Sequence, residues 1–320
     1  MEYVAWDDLA GRPNIIVDGY RADGTVLALS HWRGSGSPEE LADDLSTQIA
    51  FRYLDRPDMA VDADAVSNNH FDEDGLCGIY AVLHPDEALA RRDKLIQVAS
   101  AGDFDTFGDR DMARVAFALG TMMDEDRSPL GDAFFSRPYP KVSAGLYEEL
   151  LVRLPEMVDN PGRFRDHWEA EDAWLTHDEK LVASGAISIE EWPDIDLAIV
   201  TLPDEPAPLA LDDEVNLLLL HVSAIHNRTR MHRILAMRGR QYQLRYRYET
   251  WVKYVSAPTM ERVDLAPLAE GLSAREDAGK WTFDGVENIT PSLRLEGAEE
   301  SGIPPDAFVE TVGDYLSRAL

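Results

Sequence analysis

The chain has 320 residues, 45% of them hydrophobic, enough for one large or two ordinary domains with buried cores. Its 60 acidic residues against 30 basic ones give a formal net charge of −30, which excludes a protein that coats DNA or RNA through a general basic surface. A single cysteine, Cys77, excludes an internal disulfide.

Met1 to Asp8 shows no basic or apolar leader pattern, and apolar runs such as Leu217–Leu220 are too short to span a bilayer. A cytoplasmic protein without a membrane partner is the expectation. Asn14 to Val17 reads as a short strand ending in Asp18 and a turn at Gly19. Thr25 to Trp32 reads as a second strand, with His31 at its end. In the following loop Ser37 suits an N-cap, Pro38 the first helical position and Glu40 a capping box, so a helix is expected over 41–54. The glycines at 34 and 36 fit neither a Walker loop nor a G-x-G-x-x-G turn.

Next comes Val66-Ser-Asn-Asn-His70-Phe-Asp72-Glu-Asp74-Gly75, followed by an apolar helix-like run to Leu83. Alternate residues of an extended turn point to one side, so His70, Asp72 and Asp74 can converge. One imidazole and two carboxylates suit a divalent cation such as Mn²⁺, Mg²⁺ or Zn²⁺. The alternative is an acidic turn in which Asp72 or Asp74 caps the helix. Lys94 to Asp105 reads as a strand or buried helix ending in Asp103 and Asp105. Asp18, His31, His70 and Asp103 each follow an apolar run. If those runs are parallel strands, their carboxyl ends bring all four to one edge of a sheet.

Residues 111–185 read as helical, with apolar spacing over Met112–Met123 and Ala144–Met157. His167, Trp168, Trp174 and His177 read there as packing or surface residues. Asp196 to Leu202 is a strand candidate. Pro203 to Pro208 reads as a linker, dividing the chain into domains at 1–205 and 206–320. The last third carries a basic island, and Gln241 to Val255 alternates as a strand. An arginine-bearing face suits a phosphorylated or nucleotide-like ligand, with His226, Arg228, Arg230, Arg245, Arg247 and Trp251 as the substrate-binding candidates. The alternative is a solvated face. A helix near 265–272, strands near 280–286 and 292–296, and a terminal helix over 305–320 complete an α+β pattern.

His70-x-Asp72-x-Asp74-Gly75, with the small and apolar residues after it, resembles the first motif of DHH-type phosphoesterases. The resemblance implies two Mn²⁺-like ions that activate a water against phosphorus, with Asp103 as a later metal-binding aspartate. Ser30-His31-Trp32 with Asp44 to Ala50 is similar to the Asp-His-His segment of that superfamily. Here Ser30 and Trp32 replace its Asp and second His, and the segment precedes the His70 motif instead of following it. The glycine-rich Gly-Gly-Gly-His motif is absent. Nearly end to end, the chain also resembles an uncharacterised family of bacterial proteins with no assigned activity.

The expected fold is α/β: a mainly parallel sheet flanked by helices, a helical insertion at about 111–185, and a smaller C-terminal α+β domain. The expected function is a phosphoesterase using one or two Mn²⁺ or Mg²⁺ ions to hydrolyse a small or nucleotide-like phosphate ester. His70, Asp72, Asp74, Asp103 and Asp18 are the candidate ligands, and His31, His70 and Asp74 the candidate catalytic residues. The alternatives are a ligand-binding protein with a degenerate site, and a metal hydrolase of a non-phosphate bond.

Overall fold

Short apolar runs that end in polar turns pair side by side at the start of the chain. In the computed structural model, which describes residues 1–204 and 218–320, β1 (Glu2–Tyr3), β2 (Asn14–Val17), β3 (Thr25–Leu29) and β4 (Ala65–Ser67) form a four-stranded sheet in the order β1-β4-β2-β3. All its pairings are parallel. Every residue of β2 and β4 is buried, as expected of parallel strands covered on both faces. From β3 the chain returns through α1 (Ser46–Leu54) to β4 on the far side of β2. The strand order therefore reverses at β2, and ligands of open α/β sheets bind in the crevice at the carboxyl ends at such a point.

The helix expected over 41–54 starts late. A 3-10 turn covers Glu39–Leu41, and α1 begins only at Ser46. The Ser37 hydroxyl is used elsewhere: it donates to the Ser30 carbonyl and accepts from the Ser30 amide, both at 2.7 Å. Then α2 (Glu73–Leu83) packs on α1, and Gly78 permits its close approach to β2. A Cβ there would stand 2.6 Å from Val17 Cγ1 and 3.5 Å from the Thr47 Cα. After α3 (Pro85–Leu89), α4 (Arg92–Asp103) packs on α2 and α5 (Arg110–Met123) on α4. The helices α6 (Asp132–Phe135), α7 (Tyr139–Asp159) and α8 (Arg165–Ser184) complete the helical stretch expected at 111–185.

The chain divides into two compact units, one of residues 1–172 with 252–257, the other of 173–251 with 258–320. The boundary expected at 205 and 206 lies outside the described residues. The second unit holds β5 (Ser188–Trp192), β6 (Leu197–Thr201), α9 (Ser223–His226), β7 (Arg233–Arg238), β8 (Gln241–Tyr246), α10 (Ala266–Ser273), β9 (Lys280–Phe283), β10 (Ser292–Glu296) and α11 (Pro305–Ala319). Its sheet runs β5-β6-β7-β8-β10-β9, with β6 and β7 parallel and the other pairs antiparallel. On one face Leu235, Tyr242, Leu244, Leu293 and Trp281 form a core with Leu268 and Leu272 of α10 and Phe308 and Val312 of α11. On the other, Ala198, Val200, Ile234 and Ala236 pack with Ile187, Leu220 and Ile225. The fold is mixed α/β. Among the described residues, no helix is long and apolar enough to cross a membrane.

Candidate metal centre

Asp18 follows β2, the middle of three strands whose carboxyl ends carry the predicted residues. Its backbone is left-handed, with φ +54°, a conformation uncommon for a non-glycine residue and one that concentrates at functional positions. Its amide donates to the Leu29 carbonyl at 3.0 Å, which ties the end of β2 to the end of β3. The carboxylate then faces a histidine on each side. Oδ1 lies 3.3 Å from His31 Nε2, after β3, and Oδ2 lies 3.2 Å from His70 Nε2, after β4.

His31 is fully buried, and its Nδ1 lies 2.5 Å from the Asp44 carbonyl oxygen. A carbonyl only accepts, so Nδ1 carries the proton and Nε2 is the nitrogen aimed at the carboxylates. Besides Asp18, Nε2 lies 3.5 Å from Asp103 Oδ2 and 3.8 Å from Asp74 Oδ2. A neutral imidazole held this way by its second nitrogen is the usual arrangement of a metal-ligating histidine.

Asp74 also anchors α1. Its Oδ2 and Oδ1 accept the backbone N–H groups of Ser46 and Thr47, both at 2.7 Å, so a carboxylate from α2 caps another helix. The Ser46 hydroxyl donates to Asp18 Oδ1 at 2.6 Å. Asp72 has two roles at once. Oδ1 accepts from the Gly75 amide at 2.7 Å, making it the N-cap of α2, while Oδ2 lies 2.6 Å from His70 Nε2. The cap reading of this acid is therefore borne out, and the same side chain also faces His70. The His70 and Asp72 side chains are 22% and 25% exposed, whereas those of Asp18, His31 and Asp74 are at most 1% exposed. The centre thus opens to solvent on the His70 side, where Trp32 stacks on the imidazole at 5.1 Å.

Asp103 reaches the cluster differently from the strand-end expectation. It is the last residue of α4, a helix, so three of the four converging residues follow strands and the fourth comes from a helix end. Its Oδ2 is buried without a hydrogen-bond partner.

Burial and crowding set the electrostatics. Burial and the charges of Asp74, Asp72 and Asp18 push the Asp103 carboxyl well above its ordinary value. Burial and the Asp18 charge push Asp74 up to about 7. Glu73, buried beside Asp72, rises to about 8. Burial works against the charged form of Asp18 too, but His31 and His70 more than reverse it and hold the group below the carboxylate range. Burial disfavours charged histidines, yet the Asp72 charge and the Asp18 hydrogen bond lift His70 to about 11, and Asp18 likewise raises His31. The site is thus a dense set of carboxylates with too few cations to balance it.

The donor set fits divalent cations. Ligand atoms of Asp18, His70 and Asp72 lie within 4.8 Å of one another, and so do those of Asp18, His31 and Asp74. The two triads share Asp18. Mixed imidazole and carboxylate donors suit Mn²⁺ or Zn²⁺ better than Mg²⁺, which prefers oxygen alone.

Asp44, Lys253, Ser46 and Thr47 support the centre in ways that no local sequence pattern gave. Asp44 supplies the carbonyl behind His31, and its carboxylate accepts from the amides of Val255 and Ser256 at 2.7 and 2.9 Å. The Lys253 amide donates to the His31 carbonyl at 2.8 Å. The segment 252–257, remote in sequence, therefore braces the loop that carries His31. Ser46 and Thr47 act at a helix start five residues later than the one expected at 41.

The substrate-binding candidates all belong to the second unit. Arg245, on β8, donates to Thr290 Oγ1 at 2.8 Å. Arg247 is 5% exposed, pairs with Glu249 and donates to the Thr229 carbonyl, so it holds a turn together instead of facing a ligand. Arg228 and Arg230 are exposed between α9 and β7, His226 ends α9, and Trp251 stacks on Tyr248 at 5.9 Å.

A search of curated proteins and a search of solved structures each return no match. A family model does match, over residues 1–320, so the end-to-end resemblance read from the sequence is shown and the chain belongs to DUF6687, a family of unknown function.

Proposed function

We propose that the protein is a metal-dependent phosphoesterase whose centre would hold two divalent cations, Mn²⁺ foremost, with Asp18 belonging to both sets of donors. The observation that carries this reading is the shared carboxylate: one Asp18 oxygen faces His31 with Asp74 beside it, the other faces His70 with Asp72 beside it. His31, Asp74 and Asp103 would hold the inner ion, and His70 with Asp72 the outer one. When bound, such cations would supply a water of lowered pKa and offset charge on a phosphoryl group.

The chain's own residues do the rest. Asp44 fixes the His31 ring, so Nε2 is aimed before any ligand arrives. Asp74 is held rigid by two backbone N–H groups. His70 and Asp72, at the exposed rim, are where a phosphate ester can approach, and Trp32 closes one side of His70 to water. A small or nucleotide-like ester is the substrate class of this reading. The anionic substrate meets a protein of strongly negative charge, so affinity depends on the cations and on local basic groups.

The test is elemental analysis of protein dialysed against Mn²⁺, beside Asp18→Asn, followed by a panel of phosphate mono- and diesters. Two equivalents in the wild type, fewer in the variant, and turnover that a chelator abolishes are the expected results. Metal without turnover on any ester would favour the binding-protein alternative, and no bound metal in a folded wild type would sink the phosphoesterase reading and leave the binding-protein one in the lead.

A further inference from the structure

The second sheet presents a polar half that its core does not use. Alternation sends Leu235, Leu244 and Leu293 to the face under α10 and α11. The opposite face follows from the register. Ile234 pairs with Arg245 and Ala236 with Gln243, Arg245 and Gln243 pair with Ser292 and Arg294, and Arg294 pairs with Thr282. Residues directly opposite share a face. Ile234 and Ala236 are covered by Ile187, Leu220 and Ile225. Over β8, β10 and β9 the same face is arginine, glutamine, serine and threonine, ending in the pair Glu296 and Lys280.

This half floors an open groove of about 730 Å³ whose charged lining is Arg238, Arg240, Arg245 and Arg294 with Asp284 and Glu299, four cations against two anions. By the register, Arg238 is level with Gln241, Arg294 with Gln243, and Arg245 lies four residues along β8 from Gln241, about 13 Å at about 3.3 Å per residue, so the arginine positions span more than one phosphate. Asp284 and Glu296 pair with Arg294. Among the described residues, no carboxylate lies within 4.0 Å of Arg238 or Arg240. Arg245 is aimed by its bond to Thr290, and Arg238 by one to the Pro203 carbonyl at 3.0 Å. Burial lowers the Arg238 pKa against the opposing charges of Asp178 and Asp204, so its cation is under-compensated. A merely solvated face in so acidic a chain would not need its arginines gathered and aimed in one groove.

We infer that this groove is a binding site for a chain of two or more phosphate groups, inorganic or on a nucleotide, read by Arg238, Arg240 and Arg245. It is independent of the metal-centre reading. Guanidinium groups bind phosphate bidentately, and the neighbouring hydroxyl and amide groups supply further donors.

The experiment is calorimetric titration of the full chain, freed of metal with chelator, using inorganic triphosphate and then a nucleoside triphosphate. Saturable binding of either probe is expected, and comparing the two identifies the source of the phosphate chain. Arg240→Gln with Arg245→Gln weakens binding about tenfold or more, as loss of charged hydrogen bonds should. Circular dichroism confirms that this variant, altered at an exposed turn and an open sheet face, stays folded. Asp18→Asn leaves the affinity unchanged. Absence of saturable binding overturns the inference. So does equal weakening by Arg228→Gln with Arg230→Gln, which would reveal diffuse attraction, or loss of binding in Asp18→Asn alone, which would put the anion at the metal centre.

Discussion

Asp74 and Thr47 are joined twice: the Thr47 amide donates to Asp74 Oδ1 at 2.7 Å, and the Thr47 hydroxyl donates to the Asp74 carbonyl at 2.9 Å. The start of α1 and the first turn of α2 are thereby one rigid piece, and the acid that caps one helix is a metal-ligand candidate. Asp74→Asn turns an amide N–H₂ toward a backbone donor and leaves a buried group unsatisfied, at about 1–3 kcal/mol. It should lower the melting temperature and the bound metal together. Thr47→Val removes only the hydroxyl bond, about 1 kcal/mol, and should keep the metal. Thermal melts with elemental analysis check both. Full metal content in Asp74→Asn would show that Asp74 is a cap alone.

The two triads predict unequal losses. His70→Gln removes a ligand at the exposed rim, so it should fold normally and bind one equivalent of Mn²⁺ instead of two. His31→Gln removes the inner, fully buried ligand and should lose stability as well as metal. Identical stoichiometry in both variants would contradict the shared role of Asp18.

Protein stripped of metal should become less stable as pH rises. Asp74, Asp103 and Glu73 have folded-state pKa values above their ordinary ones, so between those limits the folded state binds more protons than the unfolded chain. His31 and His70 are raised too, and their contribution is present below the unfolded histidine value and lost as pH climbs through the folded one. All five act in the same direction, and stability falls wherever the folded state holds the extra protons. The depressed Asp18 acts oppositely, but below the usual carboxylate range. The melting temperature without metal should therefore decline from about pH 5 to pH 8, and Mn²⁺ should flatten or reverse the decline by displacing those protons. A flat profile without metal would refute this account.

Asp44 should act through His31. Asp44→Ala removes the acceptor for two backbone amides of the 252–257 segment while leaving the Asp44 carbonyl in place. The expected result is weaker Mn²⁺ binding, by about 10- to 100-fold as for other partners behind a metal ligand. Asn at this position, which keeps an acceptor oxygen, should restore most of it. Unchanged affinity in Asp44→Ala would make the brace irrelevant to the site.

The legible part of the site was what local sequence encodes. Asp18, His31 and His70 each follow a strand, and parallel pairing gathers strand ends whatever the order. Asp72 and Asp74 were legible from spacing alone. Asp103 was found as a residue but not as a helix end, because the small-residue run before it suits either element. The start of α1 was misplaced because Ser37 and Pro38 imitate a cap, while the true cap, Asp74, comes from a different helix. The bracing by Asp44 joins residues more than 200 positions apart, which no local pattern records. In the second unit, alternation identified β8 and the Arg245 face but ran past its end. The strand stops at Tyr246, and Arg247 turns inward to Glu249. Missing altogether were β5 and β7, the second because its apolar Ile234 to Met237 was hidden within the basic island.

The six-residue return of the chain at 252–257 has a practical meaning for dissecting the protein. A gene cut after codon 172 would encode every strand and helix around Asp18 but not the peptide that pins His31 and Asp44. Expressed alone, that half should fold loosely at its most important loop, and adding 252–257 as a separate peptide is the simplest way to restore it. The two halves are thus not exchangeable modules: a recombination that swapped everything after residue 172 would carry off part of the first half's machinery.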